Sequence, residues 1–245
     1  MVNEMMPKPI NGAILSSLPL CEGEGSYKHI GRTVWCGKLR FISLGGNCMV
    51  AGQLRRIFRP KTSYFDNLVT PFDGLIKALN RGCHKPLRAE DFEIGIWEGF
   101  PSAREIETGI YFHHEFKGGN PAATTNESFV RQDIDGVNEK FSYLAKRFLE
   151  VARSSDPKCY IRREYNGDSL DSVRMHEIRD ALVDLGAQNF VLANAHQSEF
   201  YKGLIVHDDI RYIQVPKGDD DGWMGSDLNW NAAFLSLCVD LGLIR

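Results

Sequence analysis

Three short apolar runs in the second half of the chain constrain the fold most. Residues 158–162 (KCYIR), 189–193 (NFVLA) and 210–215 (IRYIQV) are of strand length and rich in β-branched or aromatic side chains. Helix-forming stretches follow them. Gly167-Asp168-Ser169 can cap a helix running to Leu185, and Gly186 can end it. Ser226 or Asp227 can cap a last helix with Trp230, Ala233, Phe234, Leu237, Cys238 and Leu241 along one side. Strands alternating with helices predict an α/β layered domain with a mainly parallel central sheet flanked by helices. Right-handed crossovers would set the strand C-terminal ends along one edge, where ligands of such sheets bind.

Residues 39–58, LRFISLGGNCMVAGQLRRIF, read as the first unit of this alternation. The run 39–44 is β-prone, and Gly45-Gly46-Asn47 turns. A helix follows from Cys48, with Val50, Leu54, Ile57 and Phe58 on one face. Cys48 thus falls in a helix's first turn, where N–H groups lack intrahelical partners and partial positive charge favours a thiolate. Gly45 and Gly46 allow the sharp turn and leave space beside the sulfur. Cys48 is the best-placed nucleophile in the chain. Plainer roles fit the same residues: a cysteine as an inert apolar side chain, a Gly-Gly turn binding phosphate through its amides, and Asn47 as a helix N-cap.

The other candidates fall where the alternation puts them. Arg162-Arg163-Glu164 follow the second strand, Asn194-Ala195-His196 the third and Lys217-Gly218-Asp219 the fourth, all on the edge of Cys48. Arg162 and Arg163 could hold a carboxylate or phosphate bidentately, or pair with Glu164. Residues 219–221 form an acidic loop without an EF-hand pattern. Nearer the start, Pro71 opens a helix with Phe72, Leu75, Ile76 and Leu79 on its apolar face. Asp66, just ahead, either orients a catalytic group or holds its loop through local amides. Residues 82–108 are mixed, with Trp97 and Phe100 as anchors. Residues 111–116 (YFHHEF) read as a strand. If the phenylalanines point inward, His114 shares their face and His113 does not, so the two are not joint metal ligands. A Gly/Asn/Pro/Thr-rich loop (117–126) and an amphipathic helix over 134–151 complete the middle.

Some of these residues carry a resemblance. Ser43-Leu44-Gly45-Gly46-Asn47-Cys48, Ala51, Leu54-Arg55-Arg56, Phe65-Asp66, Val69-Thr70-Pro71, Gly74-Leu75 and His114-Glu115-Phe116 resemble the pattern of a bacterial family of unknown function, the DUF1796 type, classed with papain-like cysteine peptidases. The likeness covers about the first half of the chain and departs at Asn67, where the family usually has Trp. It implies a Cys48–His114 site. A papain-like fold pairs a helical lobe with an antiparallel barrel-like lobe, whereas this chain alternates strands with helices. The resemblance is therefore read as one of site rather than of scaffold.

Composition sets the outer bounds. In 245 residues, 43% are hydrophobic and 25% charged, enough for a sizeable core. Residues 39–245 are expected to form one α/β domain, and residues 1–38, irregular and broken by Pro7, Pro9 and Pro19, an N-terminal extension or lid. A net charge of −3 gives no sign of a nucleic-acid partner. Arg55, Arg56, Arg59 and Lys61 crowd one turn, as cations do at a helix end. No run is long enough to span a bilayer, and the N-terminus is a poor signal peptide. The six cysteines form no CxxC pair and read as reduced thiols of a cytoplasmic protein. No cofactor or metal is expected.

Two functions follow as expectations. In the first, a hydrolase or acyltransferase acting on a peptide or small molecule, Cys48 attacks a carbonyl as thiolate. His114, or failing that His196, moves the proton, Asp66 or Asn194 orients the imidazole, and amides at the helix start hold the oxyanion. In the second, a non-catalytic or transferase-like protein binds a phosphorylated or sugar-nucleotide ligand through Gly45, Gly46, Asn47, Arg162 and Arg163. The turn lacks both the P-loop Lys-Ser/Thr and the third glycine of a dinucleotide fingerprint.

Overall fold

A computed structural model describes residues 39–163, 171–198, 203–207, 209–216 and 225–243. The elements run β1 (Arg40–Ser43), α1 (Cys48–Phe58), α2 (Phe72–Asn80), β2 (Phe92–Trp97), β3 (Phe100–Glu105), β4 (Tyr111–Phe112), α3 (Glu127–Arg153), β5 (Lys158–Arg163), α4 (Ser172–Asp184), β6 (Phe190–Ser198), β7 (Gly203–His207), β8 (Ile210–Pro216) and α5 (Asp227–Asp240). Among the described residues, five strands form one sheet in the order β1-β5-β6-β8-β7. β1, β5, β6 and β8 are parallel; β7 pairs antiparallel with β8 at the edge. The sheet is therefore mixed, mostly parallel and flanked by helices.

Both faces of the sheet are covered, so side chains alternate between two apolar cores. Phe41, Cys159, Ile161, Ala193, Ala195, Ile213 and Val215 meet α1 and α5, including Leu54, Phe58, Trp230 and Phe234. Phe41 stacks on Phe58 with ring centroids 4.3 Å apart. On the other face Ile42, Tyr160, Leu192 and Ile210 join a core with α2, α3 and α4. That core continues into a second, antiparallel sheet, β2-β3-β4, through Ala103 and Phe112. No helix among the described residues is long and apolar enough to cross a membrane.

The structure departs from the expected elements in several places. The stretch 82–108 contains a hairpin, β2–β3, turning at Glu98-Gly99 with both residues at positive φ (48° and 83°). A two-residue turn of this kind matches the twist of the strands it joins. The strand expected over 111–116 stops at Phe112; the amide of Glu115 turns back to the carbonyl of Phe112 at 3.1 Å. Helix α4 is capped by Asp171, whose side chain accepts from the amide of Arg174 at 2.9 Å. The expected cap at 167–169 lies outside the described residues. Strands β5 and β6 run further than their apolar cores, so Arg162, Arg163, Asn194 and His196 stand inside strands rather than in loops after them.

One buried cation ties helix ends to the sheet. Lys158 opens β5 fully buried, and its Nζ donates to the carbonyls of Ser154, Asp156 and Gln188 at 2.6, 2.7 and 2.7 Å. Ser154 caps the end of α3, where carbonyls lack intrahelical donors. Lys158→Met keeps the bulk and removes all three charged bonds. It is expected to lower stability by about 2–4 kcal/mol, as read from urea unfolding.

Candidate functional site

The turn after β1 is built from its own side chains. The amide of Gly45 donates to Ser43 Oγ at 3.1 Å and that of Gly46 to Thr70 Oγ1 at 2.7 Å. The amide of Thr70 returns to the carbonyl of Gly46 at 3.1 Å. A Cβ on Gly45 would lie 2.3 Å from Thr70 Oγ1, and one on Gly46 2.4 Å from the carbonyl oxygen of Arg163; both glycines are at positive φ. Arg162, fully buried, closes the arrangement. Its Nη1 donates to the carbonyl of Leu44 at 3.0 Å and to Thr70 Oγ1 at 2.5 Å, and its Nη2 donates to the Thr70 carbonyl.

This corrects the phosphate-cradle expectation. The amides of Gly45 and Gly46 are engaged by Ser43 and Thr70, and Arg162 faces backbone and Thr70 rather than solvent. Arg163 is half-buried beside the turn, where its charge acts on the thiol of Cys48. Glu164 and residues 217–221 lie outside the described residues.

Cys48 is the first residue of α1, capped by Asn47, whose Oδ1 accepts from the amide of Met49 at 3.1 Å. It is the one cysteine among the described residues that is not buried. Burial pushes the thiols of Cys83 and Cys238 up to about 12, and that of Cys159 higher still. The thiol of Cys48 is also raised. Desolvation is the largest cause and the charge of Glu98 adds to it; the residue's own N–H, Arg55 and Arg163 oppose. The lowered pKa expected at a helix start is overturned, because partial burial outweighs the helix-terminus field. At neutral pH the sulfur carries its proton.

Glu98 comes from the tip of the β2–β3 hairpin, so the charge that adds to the raising of the thiol belongs to the small sheet. Arg55, two turns along α1, acts electrostatically on Cys48, Asp66 and His114. Its Nη1 donates to Asn67 Oδ1 at 3.3 Å. One guanidinium thus bears electrostatically on the thiol, on Asp66 and on His114. His113 and His114 lie in the turn after β4 with ring centroids 5.0 Å apart. His113 is half-buried and His114 more exposed. Neither ring hydrogen-bonds the sulfur among the described residues.

The remaining candidates are placed elsewhere. Asn194 is buried in mid-sheet, in register with Arg162 and Tyr212. His196 sits inside β6 opposite Gln214. Asp66 is buried, and its carboxylate accepts from the amide of Ser63 at 2.9 Å, so it holds its own turn. A cavity of about 380 Å³ runs along β1 between residues 60–63 and α3, lined by Phe41, Phe58, Lys61, Arg147 and Phe148 among others; Cys48 does not line it. Among the described residues no group of three His, Cys, Asp or Glu side chains could hold a metal ion. Searches of protein-family models, curated proteins and solved structures return no match.

Two substitutions test this construction. Arg162→Met leaves the carbonyls of Leu44 and Thr70 without their charged donor and is expected to cost about 3 kcal/mol in urea unfolding. Desolvation pushes Asp66 up to about 6, against the opposing Ser63 amide, Arg55 and Arg147. A carboxyl with a raised folded pKa contributes stability at low pH that is lost as pH rises from its unfolded value, about 3.9, through 6. Asp66→Asn, which keeps the acceptor without the charge, is therefore expected to gain about 2–3 kcal/mol over wild type at pH 7 and nothing near pH 3.5. Equal gains at both pH values would exclude an ionisable origin.

Proposed function

We propose that the protein is a thiol-dependent hydrolase or acyltransferase with Cys48 as its nucleophile. The observation that carries this reading is the contrast among the cysteines. Three are buried and inert, while Cys48 alone among those described is partly open, at the first residue of a helix leaving the C-terminal end of a parallel strand. Such edges are where α/β sheets bind their ligands. The resemblance to the papain-like DUF1796 type supports the same pair of residue types, a cysteine and a histidine.

The electrostatics select one form of the mechanism. A protonated thiol needs a base, and the imidazoles of His113 and His114 are both held in the base form. Burial lowers His113, with His114 and Lys117 adding to it. Partial burial lowers His114, with Lys117, Lys140 and Arg55 outweighing Glu115. A neutral imidazole takes the thiol proton as the sulfur's electron pair bonds the carbonyl carbon and the carbonyl π pair moves to oxygen. The imidazolium then protonates the leaving group as the tetrahedral adduct collapses to a thioester. Water or another acceptor, deprotonated by the same imidazole, releases the acyl group and restores the thiol. The amides of Gly45, Gly46 and Met49 are engaged by Ser43, Thr70 and Asn47 and do not serve an oxyanion.

p-Nitrophenyl acetate tests the reading. A burst of p-nitrophenol is expected, with one acetyl group on the Cys48 peptide by mass spectrometry, and Cys48→Ala is expected to abolish both while unfolding normally. The burst rate is expected to rise through a midpoint below about 6.5, the ordinary histidine value, and again above pH 9 as the thiol ionises unaided. Acetylation that persists at other residues in Cys48→Ala, with none at Cys48 in wild type, would refute it.

A further inference from the structure

We propose that the cavity beside β1 binds a short extended peptide with apolar side chains and a free terminal carboxylate, taken up as an added strand. The site is separate from the thiol, since Cys48 does not line it. Strand β1 is the outer strand of its sheet and pairs with β5 on one side only. The amides of Arg40 and Leu44 donate to the carbonyls of Pro157 and Ile161 at 3.0 and 2.8 Å, so alternate residues face β5. Phe41, one residue after Arg40, therefore turns its own N–H and C=O to the open side. The cavity of about 380 Å³ runs along residues 39–42. Its volume lies in the range of small-molecule sites, about 300–1,000 Å³.

The neighbouring loop leaves the strand edge unpaired. Residues 60–63 line the cavity too, yet among the described residues no backbone hydrogen bond joins them to β1. Pro60 has no N–H to offer, and the amide of Ser63 donates to Asp66 at 2.9 Å. An open strand edge takes a further extended chain, whose N–H and C=O groups continue the ladder. This edge also lies where the two apolar cores meet. Phe41 and Phe58 belong to one core, Ile42, Leu144 and Phe148 to the other, and all five line the cavity. Successive side chains of an added strand point to opposite faces, so one turns toward the core of Phe58 and the next toward that of Phe148.

Charge selects the end group. The lining holds three cations, Arg40, Lys61 and Arg147, and no carboxylate, in a chain of net charge −3. Arg40 is paired with Asp156 at 2.6 Å. Among the described residues Lys61 and Arg147 form no ion pair. Arg147 lies over the exposed ring of Tyr143, 5.4 Å from its centroid, and its charge also acts on Asp66. A guanidinium binds a carboxylate through two parallel N–H groups, and an ammonium adds a point charge. A terminal carboxylate is the anion that an extended peptide brings without giving up an apolar side chain.

The test is isothermal titration calorimetry of the full chain with acetyl-Val-Leu-Val, its C-terminal amide, the same peptide N-methylated at its leucine, and decanoate. The free acid is expected to bind and to shift the Phe41 amide resonance by NMR. Amidation, N-methylation and Arg147→Met are each expected to weaken binding roughly 10-fold or more, and Lys61→Met by less because that side chain is exposed. Val151→Trp, filling the cavity from a half-buried position on α3, is expected to abolish it. Urea unfolding checks each variant; should Val151→Trp fold poorly, the two methionine variants and the modified peptides decide. Cys48→Ala is expected to bind as wild type does, so the proposal stands or falls apart from the thiol reading. No heat with the free acid, or equal affinity for acid and amide, would overturn it. Equal affinity for the peptide and its N-methyl form, matched by decanoate, would overturn the strand pairing and assign the cavity to an alkyl carboxylate.

Discussion

Arg162 holds together the turn from which Cys48 and helix α1 depart. Its guanidinium, buried at the end of β5, binds the last residue of the β1 run and both the side chain and carbonyl of Thr70. Thr70 in turn receives the amide of Gly46. Three segments far apart in sequence are thereby locked at the place where the chain leaves β1 and enters α1. The position of Cys48 depends on that lock, because the turn before it has no room to move: a single Cβ on either glycine would collide with Thr70 or Arg163. A buried guanidinium is costly unless its donors are satisfied, so its placement here defines the geometry of the turn rather than serving a ligand.

A second consequence concerns the thiol. A helix start and two arginines argue for a thiolate, while partial burial and the hairpin carboxylate argue against it, and desolvation is the larger effect. The thiol of Cys48 therefore keeps its proton at neutral pH, and burial likewise favours the neutral form of His113 and His114. Arg55 couples the parts, since its charge opposes the raising of both Cys48 and Asp66 and favours a neutral His114.

What was legible in the chain follows from how local the governing forces are. The parallel strands and their helices are readable because strands covered on both faces need apolar centres, as the Cys-Tyr-Ile of 159–161 and the Phe-Val-Leu-Ala of 190–193 supply. The strand–Gly-Gly–helix unit was readable because glycines at positive φ and an Asn cap are local requirements. The β2–β3 hairpin is hard to read locally, although Phe92, Ile94 and Ile96 alternate before Glu98-Gly99, because Ile96 and Phe100 are exposed and blur the inward–outward pattern. Strand β7, a five-residue edge strand, carries little pattern of its own. The strand expected through His113 and His114 ended early, since the turn at Glu115 reflects packing of Phe116 into the core rather than any break in apolar pattern.

By itself, the sequence determined the α/β layering, the sharp turn, the helix start at Cys48 and the Asn47 cap, all set by backbone sterics and by hydrophobic periodicity within a few residues. Only the tertiary structure decided which polar groups are already engaged and which face one another. The amides of Gly45 and Gly46 read as open until Thr70 and Ser43 occupied them, and Arg162 read as a ligand site until it was buried. The cavity along Phe41 depends on β1 lying at the edge of the sheet, and the raised thiol depends on how deeply the sulfur is covered. Hydrogen-bond partnership and desolvation are properties of distant segments brought together, and no local pattern encodes them.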